Sequence, residues 1–298
     1  MVAAVIVLYH PELSLLQRLI GTLACQVDMI FAVDNTPAPR STVQDFLAKC
    51  EEQIFYESLG DNRGIASAQN IGIRRGLEAG ASHILLLDQD SALPSDMVSS
   101  LLQAEKDLID GGKRVAAVGP VFIDEKTGEK SSPFQQGFLR ARKIVIDEDS
   151  TEPVETEYVI ASGSLIRREV IEDVGMMLDE LFIDLVDIEW GLRAKSRGYR
   201  SYIVPSVVIA HSVGDRAIQA FGRNIYVHGD TRNYYRIRNG VYLLRLRHMG
   251  MHWRISSLLR VPKYVFIYSL LSTNRLRTLM LLCRACMDGI RAKSGRCS

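Results

Sequence analysis

The chain has 298 residues, of which 47% are hydrophobic and 24% charged, and these ordinary globular values exclude a disordered or collagen-like protein. The net charge of +1 conceals an asymmetry, because residues 236–298 carry 13 Lys and Arg with one acid, whereas the rest carries 23 basic and 34 acidic side chains. The asymmetry predicts an acidic partner for the C-terminal segment, either nucleic acid or an anionic membrane surface.

The N-terminus and the cysteines indicate a protein of a reducing compartment. Met1–Leu8 is apolar without a basic flank, so we expect a buried strand there and no signal peptide. The five cysteines are odd in number and lack a close-spaced framework, which favours the cytosol over a disulfide scaffold.

Strand and helix patterns alternate through the first two thirds of the chain. Helices are expected over 13–23 and 65–77, after Pro94, and over 167–173 and 184–197. Strands are expected over 2–9, 29–33, 53–57, 84–87, 115–118, 158–161, 199–204 and 207–210, with an irregular excursion at the sheet edge over 121–157. This order predicts an α/β fold, a doubly wound and mostly parallel sheet with helices on both faces.

Polar clusters fall where three of these strands end. They are Tyr9-His10, Asp34-Asn35 and Asp88-Gln89-Asp90. Doubly wound sheets bind ligands beyond the carboxyl ends of their strands, so these residues are candidates for a ligand cleft. The sequence contains no G-x-G-x-x-G motif, which argues against a nicotinamide or flavin dinucleotide site.

The pair Asp88 and Asp90 favours a cation. Two carboxylates at one strand end repel each other unless a hard cation such as Mg²⁺ or Mn²⁺ lies between them. The alternative is an acidic turn that caps the following helix. The segment Asn62–Gly72 likewise allows two interpretations, an anion site at a helix N-terminus with Arg63, or tight packing of a helix on the sheet.

Asp187 and Glu189 lie beside Asp184 where a helix begins. Acids in a first turn complement the helix dipole, but a partly buried carboxylate with a raised pKa can also act as a general base. His211, at the end of an apolar strand, is a candidate metal ligand, with a structural role as the alternative.

Residues 230–249 and 252–290 have helical patterns in which Arg alternates with apolar residues. The longest uncharged stretch, Tyr264–Asn274, has 11 residues, against the roughly 20 needed to span a bilayer. We therefore expect this extension to lie on a membrane surface or to pack on the domain.

Taken in order, the motifs resemble those of glycosyltransferase family 2, which has the GT-A fold, and particularly its bacterial rhamnosyltransferases. The resemblance covers roughly residues 2–212. It rests on Val7-Leu8-Tyr9-His10-Pro11, Val33-Asp34-Asn35, Asn62-Arg63-Gly64-Ile65-Ala66, Leu87-Asp88-Gln89-Asp90-Ser91, Ser162-Gly163-Ser164 and residues 182–193, which include Asp187-Ile188-Glu189-Trp190.

The resemblance implies a role for each candidate residue. Asp187 would be the catalytic base, with Glu189 orienting it or touching the sugar. His211 would complete the shell of a Mg²⁺ or Mn²⁺ ion. The nucleotide-sugar residues would be Tyr9, Asp34, Asn35, Arg63, Asp88 and Gln89, the metal ligands Asp88, Asp90 and His211, and the acceptor-side residues Ser162, Gly163 and Trp190.

The resemblance also implies an activity: inverting, metal-dependent transfer of L-rhamnose from dTDP-L-rhamnose to a lipid-linked oligosaccharide of a bacterial surface polysaccharide such as O-antigen. We expect a catalytic domain over residues 1–229, with a nucleotide-sugar half to about residue 120. A basic helical tail over 230–298 would bind the inner face of the plasma membrane from the cytoplasm, or form a homodimer.

Several alternatives remain open at this level. The same fold could use UDP-galactofuranose or a UDP-hexose, or serve as a non-catalytic membrane-bound scaffold. A nucleotidyltransferase would usually carry a Gly-rich loop after the first strand, where Tyr9-His10-Pro11 stands. A nucleic-acid binder would rely on the basic tail alone.

Overall fold

The computed structural model describes residues 1–50, 53–124, 134–136, 141–143, 150–211, 217–220, 223–226 and 229–297. Its strands are β1 (Val2–Leu8), β2 (Met29–Asp34), β3 (Ile54–Ser58), β4 (His83–Asp88), β5 (Val115–Asp124), β6 (Phe134–Gln136), β7 (Ala141–Lys143), β8 (Val154–Thr156), β9 (Ser164–Arg167), β10 (Arg200–His211), β11 (Ala217–Ala220) and β12 (Arg223–Tyr226). Its α-helices are α1 (Leu13–Leu23), α2 (Ser41–Leu47), α3 (Ile65–Glu78), α4 (Met97–Asp110), α5 (Arg168–Val174), α6 (Val186–Ser196), α7 (Asp230–Tyr242), α8 (Met251–Leu271) and α9 (Arg275–Ile290).

One eight-stranded sheet organises the domain, in the order β3-β2-β1-β4-β9-β5-β10-β8. β1 pairs in parallel with β2 and β4, and β5 pairs in parallel with β10, whereas β8 and β9 run antiparallel to their neighbours. The expectation of a mostly parallel, doubly wound sheet is therefore confirmed.

The direction of strand addition reverses at β1. The chain adds β2 and β3 on one side of β1 and then returns to add β4 on the other side. The register places Leu8 opposite Asp34 and Val7 opposite Asp88, so the polar residues that end these strands converge at one edge. This reversal is the switch point at which such sheets bind ligands.

One strand prediction was wrong. No strand forms over residues 158–161, and the predicted Ser162-Gly163 turn comes before β9 instead of after a strand. Gly163 has φ +78°, and a Cβ there would approach Pro120 to 2.7 Å, so glycine permits this turn beside the sheet. Of the expected excursion over 121–157, β8 forms an antiparallel edge strand, and residues 125–133, 137–140 and 144–149 lie outside the described residues.

Two apolar layers enclose the sheet. Helices α1, α2 and α4 pack on one face through side chains such as Leu16, Leu47 and Met97. Helices α3, α5 and α6 pack on the other face through side chains such as Ile73, Val170 and Trp190. Periodic apolar residues thus place helices on both faces, as expected.

The C-terminal extension packs against the domain. Tyr235 of α7 stacks on Phe182, with their ring centroids 4.7 Å apart, and Tyr268 of α8 and Leu282 of α9 belong to the same apolar cluster. The Tyr234 hydroxyl donates to the buried carboxylate of Asp288 at 2.7 Å. Within the described part of the chain, no helix has both the length and the apolar character to cross a membrane.

Candidate active site

Two adjoining cavities, of about 440 Å³ and 260 Å³, lie beyond the carboxyl ends of β1 and β4. Ile65, Asp88, Asp90 and Ile183 line both of them. The two cavities therefore form one cleft, and we call the larger the catalytic cavity and the smaller the donor cavity.

Three predicted residues line the donor cavity besides Asp88: Tyr9, Asn35 and Gln89. The backbone N–H of Tyr9 donates to Gln89 Oε1 at 2.8 Å, and Gln89 Nε2 donates to the Tyr9 carbonyl at 3.2 Å. This reciprocal pair joins the ends of β1 and β4, and it leaves Tyr9 46% exposed beside the donor cavity.

Asn35 and Asn62 hold the far wall of the donor cavity. Asn35 Nδ2 donates to Asn62 Oδ1 at 3.0 Å, and Asn35 Oδ1 accepts from the Arg63 N–H at 2.7 Å. The Arg63 side chain is exposed and does not line either cavity. Arg63 contributes to this wall through its backbone N–H, and its contact with the nucleotide stays a prediction.

Asp34 also lies behind the cleft wall instead of on it. Its side chain is fully buried, with Oδ1 accepting from the Thr36 N–H and Oδ2 from the Tyr56 hydroxyl, each at 2.9 Å. Both oxygens are thus engaged within the protein. The structure gives Asp34 a supporting position, in contrast to the predicted direct contact.

The N-terminus of α3 is already filled by protein. Gly64 has φ +86°, and a Cβ there would lie 2.6 Å from Phe182. The N–H of Ile65 donates to the Phe182 carbonyl at 2.7 Å. Of the two interpretations of this segment, the geometry favours close packing over an open anion site.

Ser162 supports the Asp88–Asp90 turn from below. Its hydroxyl accepts from the Asp88 N–H at 3.1 Å and lies 2.8 Å from the hydroxyl of Ser91. The N–H of Gly163 donates to the Leu86 carbonyl at 2.7 Å. Ser162 lines the catalytic cavity, while Gly163 shapes the turn and does not line it.

The donor set at the turn fits a hard cation. Asp88 and Asp90 offer carboxylate oxygens to both cavities, which suits Mg²⁺ or Mn²⁺ shared with phosphate oxygens and water. Among the described residues, no group of three His, Cys, Asp or Glu side chains is arranged to hold a metal. His211 ends β10 with its backbone opposite Asp124, and its side chain lies outside the described part.

Asp187 lines the catalytic cavity at the start of α6. Burial raises its pKa to about 6, and the nearby carboxylates of Asp184 and Asp88 add to the rise. The N–H of Ile188 donates to Asp187 Oδ1 at 2.9 Å, and this hydrogen bond lowers the pKa and so partly offsets the rise. A carboxylate that titrates near neutrality is suited to accept a proton from a hydroxyl group.

A strained loop holds Asp187 in place. Phe182, Asp184 and Leu185 have φ values of +63°, +64° and +65°, which non-glycine residues rarely adopt. Asn239 of α7 is fully buried, and its Nδ2 lies 2.9, 2.7 and 2.9 Å from the carbonyls of Leu181, Ile183 and Asp184. The C-terminal extension thus fixes the loop that precedes Asp187.

Arg232 is a cleft residue that the sequence analysis missed. It lines the catalytic cavity from α7, and its Nε lies 3.2 Å from Asp184 Oδ1. Among the described residues that line the catalytic cavity, the charged side chains are the guanidinium of Arg232 and four carboxylates, those of Asp88, Asp90, Asp184 and Asp187. The Arg-rich helical pattern from residue 230 was visible, but not which turn would face the cleft.

Glu189 and Trp190 face away from the cleft. Glu189 is 1% exposed and pairs with Arg193 Nε at 2.9 Å and with His248 Nε2 at 2.8 Å. Burial alone would raise the pKa of Glu189, but the hydrogen bonds from His248 and Arg193 outweigh it and lower the pKa. Trp190 is buried, donates to the Gly175 carbonyl at 2.8 Å and does not line the catalytic cavity, so its acceptor-side role stays a prediction.

Comparisons with known proteins show the family of the chain. Residues 4–175 match the model of glycosyl transferase family 2. The chain is 36% identical over 297 residues to the dTDP-rhamnosyl transferase RfbF of Shigella flexneri, covering 98% of this chain and 96% of that protein.

Solved structures with the same fold are more distant in sequence. GalNAc-T7 with UDP, GalNAc and Mn²⁺ superposes with a TM-score of 0.59 at 14% identity, over 92% of this chain and 58% of that one. S. aureus TarS 1–349 with UDP-GlcNAc gives 0.58 at 14% identity, over 98% and 81%. At such identities the likeness concerns the GT-A fold alone.

Proposed function

Since the chain belongs to glycosyl transferase family 2 and is a glycosyltransferase, we propose that it transfers L-rhamnose from dTDP-L-rhamnose to a lipid-linked oligosaccharide of a bacterial surface polysaccharide. The donor is supported by the 36% identity to a dTDP-rhamnosyl transferase over almost the whole of both chains. No specific observation favours a UDP-sugar donor over this one.

One observation carries the proposed chemistry: Asp187, whose pKa burial raises to about 6, lines the same cavity as Asp88 and Asp90. The acceptor hydroxyl needs a base on the face of the sugar opposite the departing diphosphate, which gives inversion. Asp187 takes that proton, because a carboxylate committed to a cation is a poor base. Positioned proton transfer of this kind contributes about 10²–10⁴-fold to a rate.

Asp88 and Asp90 would hold the divalent cation, with His211 as the proposed third protein ligand. A bound cation stabilises the negative charge that builds on the diphosphate leaving group. Tyr9, Asn35 and Gln89 bind the nucleoside, and Asn62 and Gly64 shape that wall. Glu189 acts as a positioning residue, since its carboxylate pairs with Arg193 within α6 and joins this helix to His248.

The extension is proposed to bind an anionic membrane surface. Exposed apolar side chains recur at helical spacing on both outer helices, including Leu259 at 69%, Phe266 at 67% and Leu276 at 67%. Exposed cations such as Lys263 and Arg277 flank them. An apolar stripe beside Lys and Arg is the surface that an interfacial helix presents to anionic lipid, and it would bring a cytoplasmic enzyme to its lipid-linked acceptor.

Turnover of a panel of nucleotide sugars on a lipid-linked rhamnosyl acceptor tests the proposal. The panel comprises dTDP-L-rhamnose, UDP-galactofuranose, UDP-glucose and GDP-mannose, each with Mg²⁺, with Mn²⁺ and with excess EDTA. We expect transfer from dTDP-L-rhamnose alone, with inverted anomeric configuration. Full activity in excess EDTA would show that transfer needs no cation. Retention of the anomeric configuration would show that Asp187 is not the base of an inverting reaction.

A further inference from the structure

Gln69 on α3 carries a buried polar atom that the protein leaves unsatisfied. Its side chain is 4% exposed, and its Oε1 has no hydrogen-bond partner among the described residues. Buried acceptors in native proteins are almost always paired, so an exception calls for an explanation.

The neighbouring Asn70 shows what a structural amide looks like in the same helix. It is 5% exposed, its Nδ2 donates to the Met177 carbonyl at 2.8 Å and to Asp179 Oδ1 at 2.7 Å, and its Oδ1 accepts from the Met177 N–H at 2.9 Å. Two adjacent buried amides thus differ sharply, because one is used fully by the fold and the other is not.

The residue that carries the unpaired oxygen lies on the wall of the active-site cleft. Gln69 lines the catalytic cavity together with Asp88, Asp90 and Asp187. Ile65, one helical turn earlier, lines both the catalytic and the donor cavity. Gln69 therefore faces the catalytic cavity, one helical turn from a residue that borders both cavities. In the proposed function, this cavity holds the sugar of the nucleotide donor between its diphosphate and Asp187.

A hydrogen-bond acceptor in this position needs a ligand group that donates a hydrogen bond. Phosphate oxygens and the surrounding carboxylates are acceptors and cannot satisfy it. We propose that the side-chain amide of Gln69 accepts a hydrogen bond from a hydroxyl group of the donor sugar and so contributes to the choice of donor. This inference rests on the proposed glycosyl transfer and deepens it by naming a residue that reads the sugar.

Such a contact would make Gln69 a specificity-determining residue. A site built to hydrogen-bond a substrate hydroxyl discriminates against a ligand that lacks the group, because its own polar atom is then left unpaired. In the free enzyme the unpaired oxygen of Gln69 would destabilise the fold, and binding of the donor would remove this destabilisation by supplying the hydrogen bond.

Titration calorimetry with dTDP and with dTDP-L-rhamnose, in the presence of Mg²⁺ and without acceptor, separates this role from a structural one. For Gln69→Met, which keeps the side-chain length but removes the acceptor, we expect dTDP affinity within about twofold of wild type. The affinity for dTDP-L-rhamnose should fall about tenfold, the effect of one hydrogen bond. Its thermal midpoint should stay equal or rise, since an unpaired buried oxygen is gone.

Asn70→Ser is the matched control, because it breaks paired hydrogen bonds in the same helix. It should lower the thermal midpoint while keeping the wild-type ratio of the two affinities. If Gln69→Met folds poorly, Gln69→Leu tests the same ratio.

Unchanged affinity for the sugar nucleotide, an equal loss for dTDP, or weakened Mn²⁺ binding in the absence of nucleotide would each overturn the inference. If wild type uses a different nucleotide sugar, the proposed donor is wrong, but the same ratio measured with that sugar nucleotide and its diphosphate still decides the role of Gln69.

Discussion

The side-chain amide of Asn239 donates to the main-chain carbonyl of Asp184 at 2.9 Å, which links the C-terminal extension to the loop that precedes the proposed base Asp187. Arg238 strengthens the link, since its Nη2 donates to Asn239 Oδ1 and to the carbonyls of Glu180 and Leu181, each at 2.8 Å. The first helix of the extension is therefore part of the active-site structure, although the charge pattern alone suggested an appendage.

Asn239→Asp should lower kcat by about one to two orders of magnitude while leaving the KM for the donor nearly unchanged. A carboxylate cannot donate to the loop carbonyls, and a displacement of about 1 Å at a reacting group can cost about 10²-fold. Tyr234→Phe is the control, because it removes a buried hydrogen bond to Asp288 from the same helix without touching the loop. Equal effects of the two substitutions on kcat would show that Asn239 only stabilises the fold.

Below an inflection near pH 6, kcat/KM should fall about tenfold for each pH unit, because Asp187 must be deprotonated to accept a proton and burial raises its pKa to about 6. A cation that neutralises Asp88 would shift the inflection to lower pH. The residual rate of Asp187→Asn should lack this inflection. A wild-type profile that stays flat from pH 5 to pH 7 would contradict the assignment.

The same group has a defined effect on stability. The carboxyl of Asp187 titrates near 3.8 when unfolded and near 6 when folded, so the folded state binds more protons between these values. Lowering the pH from 6 to 4 should therefore raise the free energy of unfolding of wild type relative to Asp187→Asn. Denaturant titrations at the two pH values measure the difference.

Asp187→Asn and Asp90→Asn should separate chemistry from binding. The first keeps the size of the side chain but cannot take a proton, so transfer should nearly vanish while donor binding persists. The second removes a proposed cation ligand, so the affinities for Mn²⁺ and for the sugar nucleotide should fall together. More than a tenth of the normal rate in Asp187→Asn would move the role of base to Asp184, since Glu189 is paired away from the cleft.

The sequence predicted the sheet and the ends of its strands because periodic apolar runs and terminal polar residues are local signals. It placed Tyr9, Asn35, Gln89, Asp88 and Asp90 correctly at one edge, since parallel strands end together. Asp34, Glu189 and Trp190 are buried away from both cavities, which the sequence could not show because local pattern does not tell which side of a strand or helix meets a cavity. Asn239 and Arg232 were missed because their positions depend on contacts between distant segments, and Gln69 because the sequence does not show which buried amide lacks a partner.

Glu189→Gln should destabilise the protein by about 3 kcal/mol, the cost of breaking a buried ion pair from one side, because Arg193 and His248 would lose their shared carboxylate. Glu57→Gln is the control: its partner Arg75 is 54% exposed, and a solvent-screened surface pair contributes little to stability. Donor affinity should be unchanged in both variants. If Glu189→Gln lost donor binding without losing stability, the result would instead favour a direct contact between Glu189 and the sugar.

The exposed apolar stripe of α8 should be needed for binding to anionic vesicles. Leu259→Asp and Phe266→Asp each place a carboxylate in a side chain that is at least 67% exposed, so the fold should persist while insertion at the headgroup boundary becomes unfavourable. Phe55→Asp is the control, since Phe55 is a 48% exposed aromatic residue on β3, outside the extension. In sedimentation, wild type and the Phe55 variant should pellet with phosphatidylglycerol vesicles at low salt and be released at high salt. Neither should pellet with phosphatidylcholine vesicles. The α8 variants should remain in solution throughout. Pelleting of all four proteins alike, or displacement of wild type by duplex DNA at equal phosphate concentration, would assign the extension to a different partner.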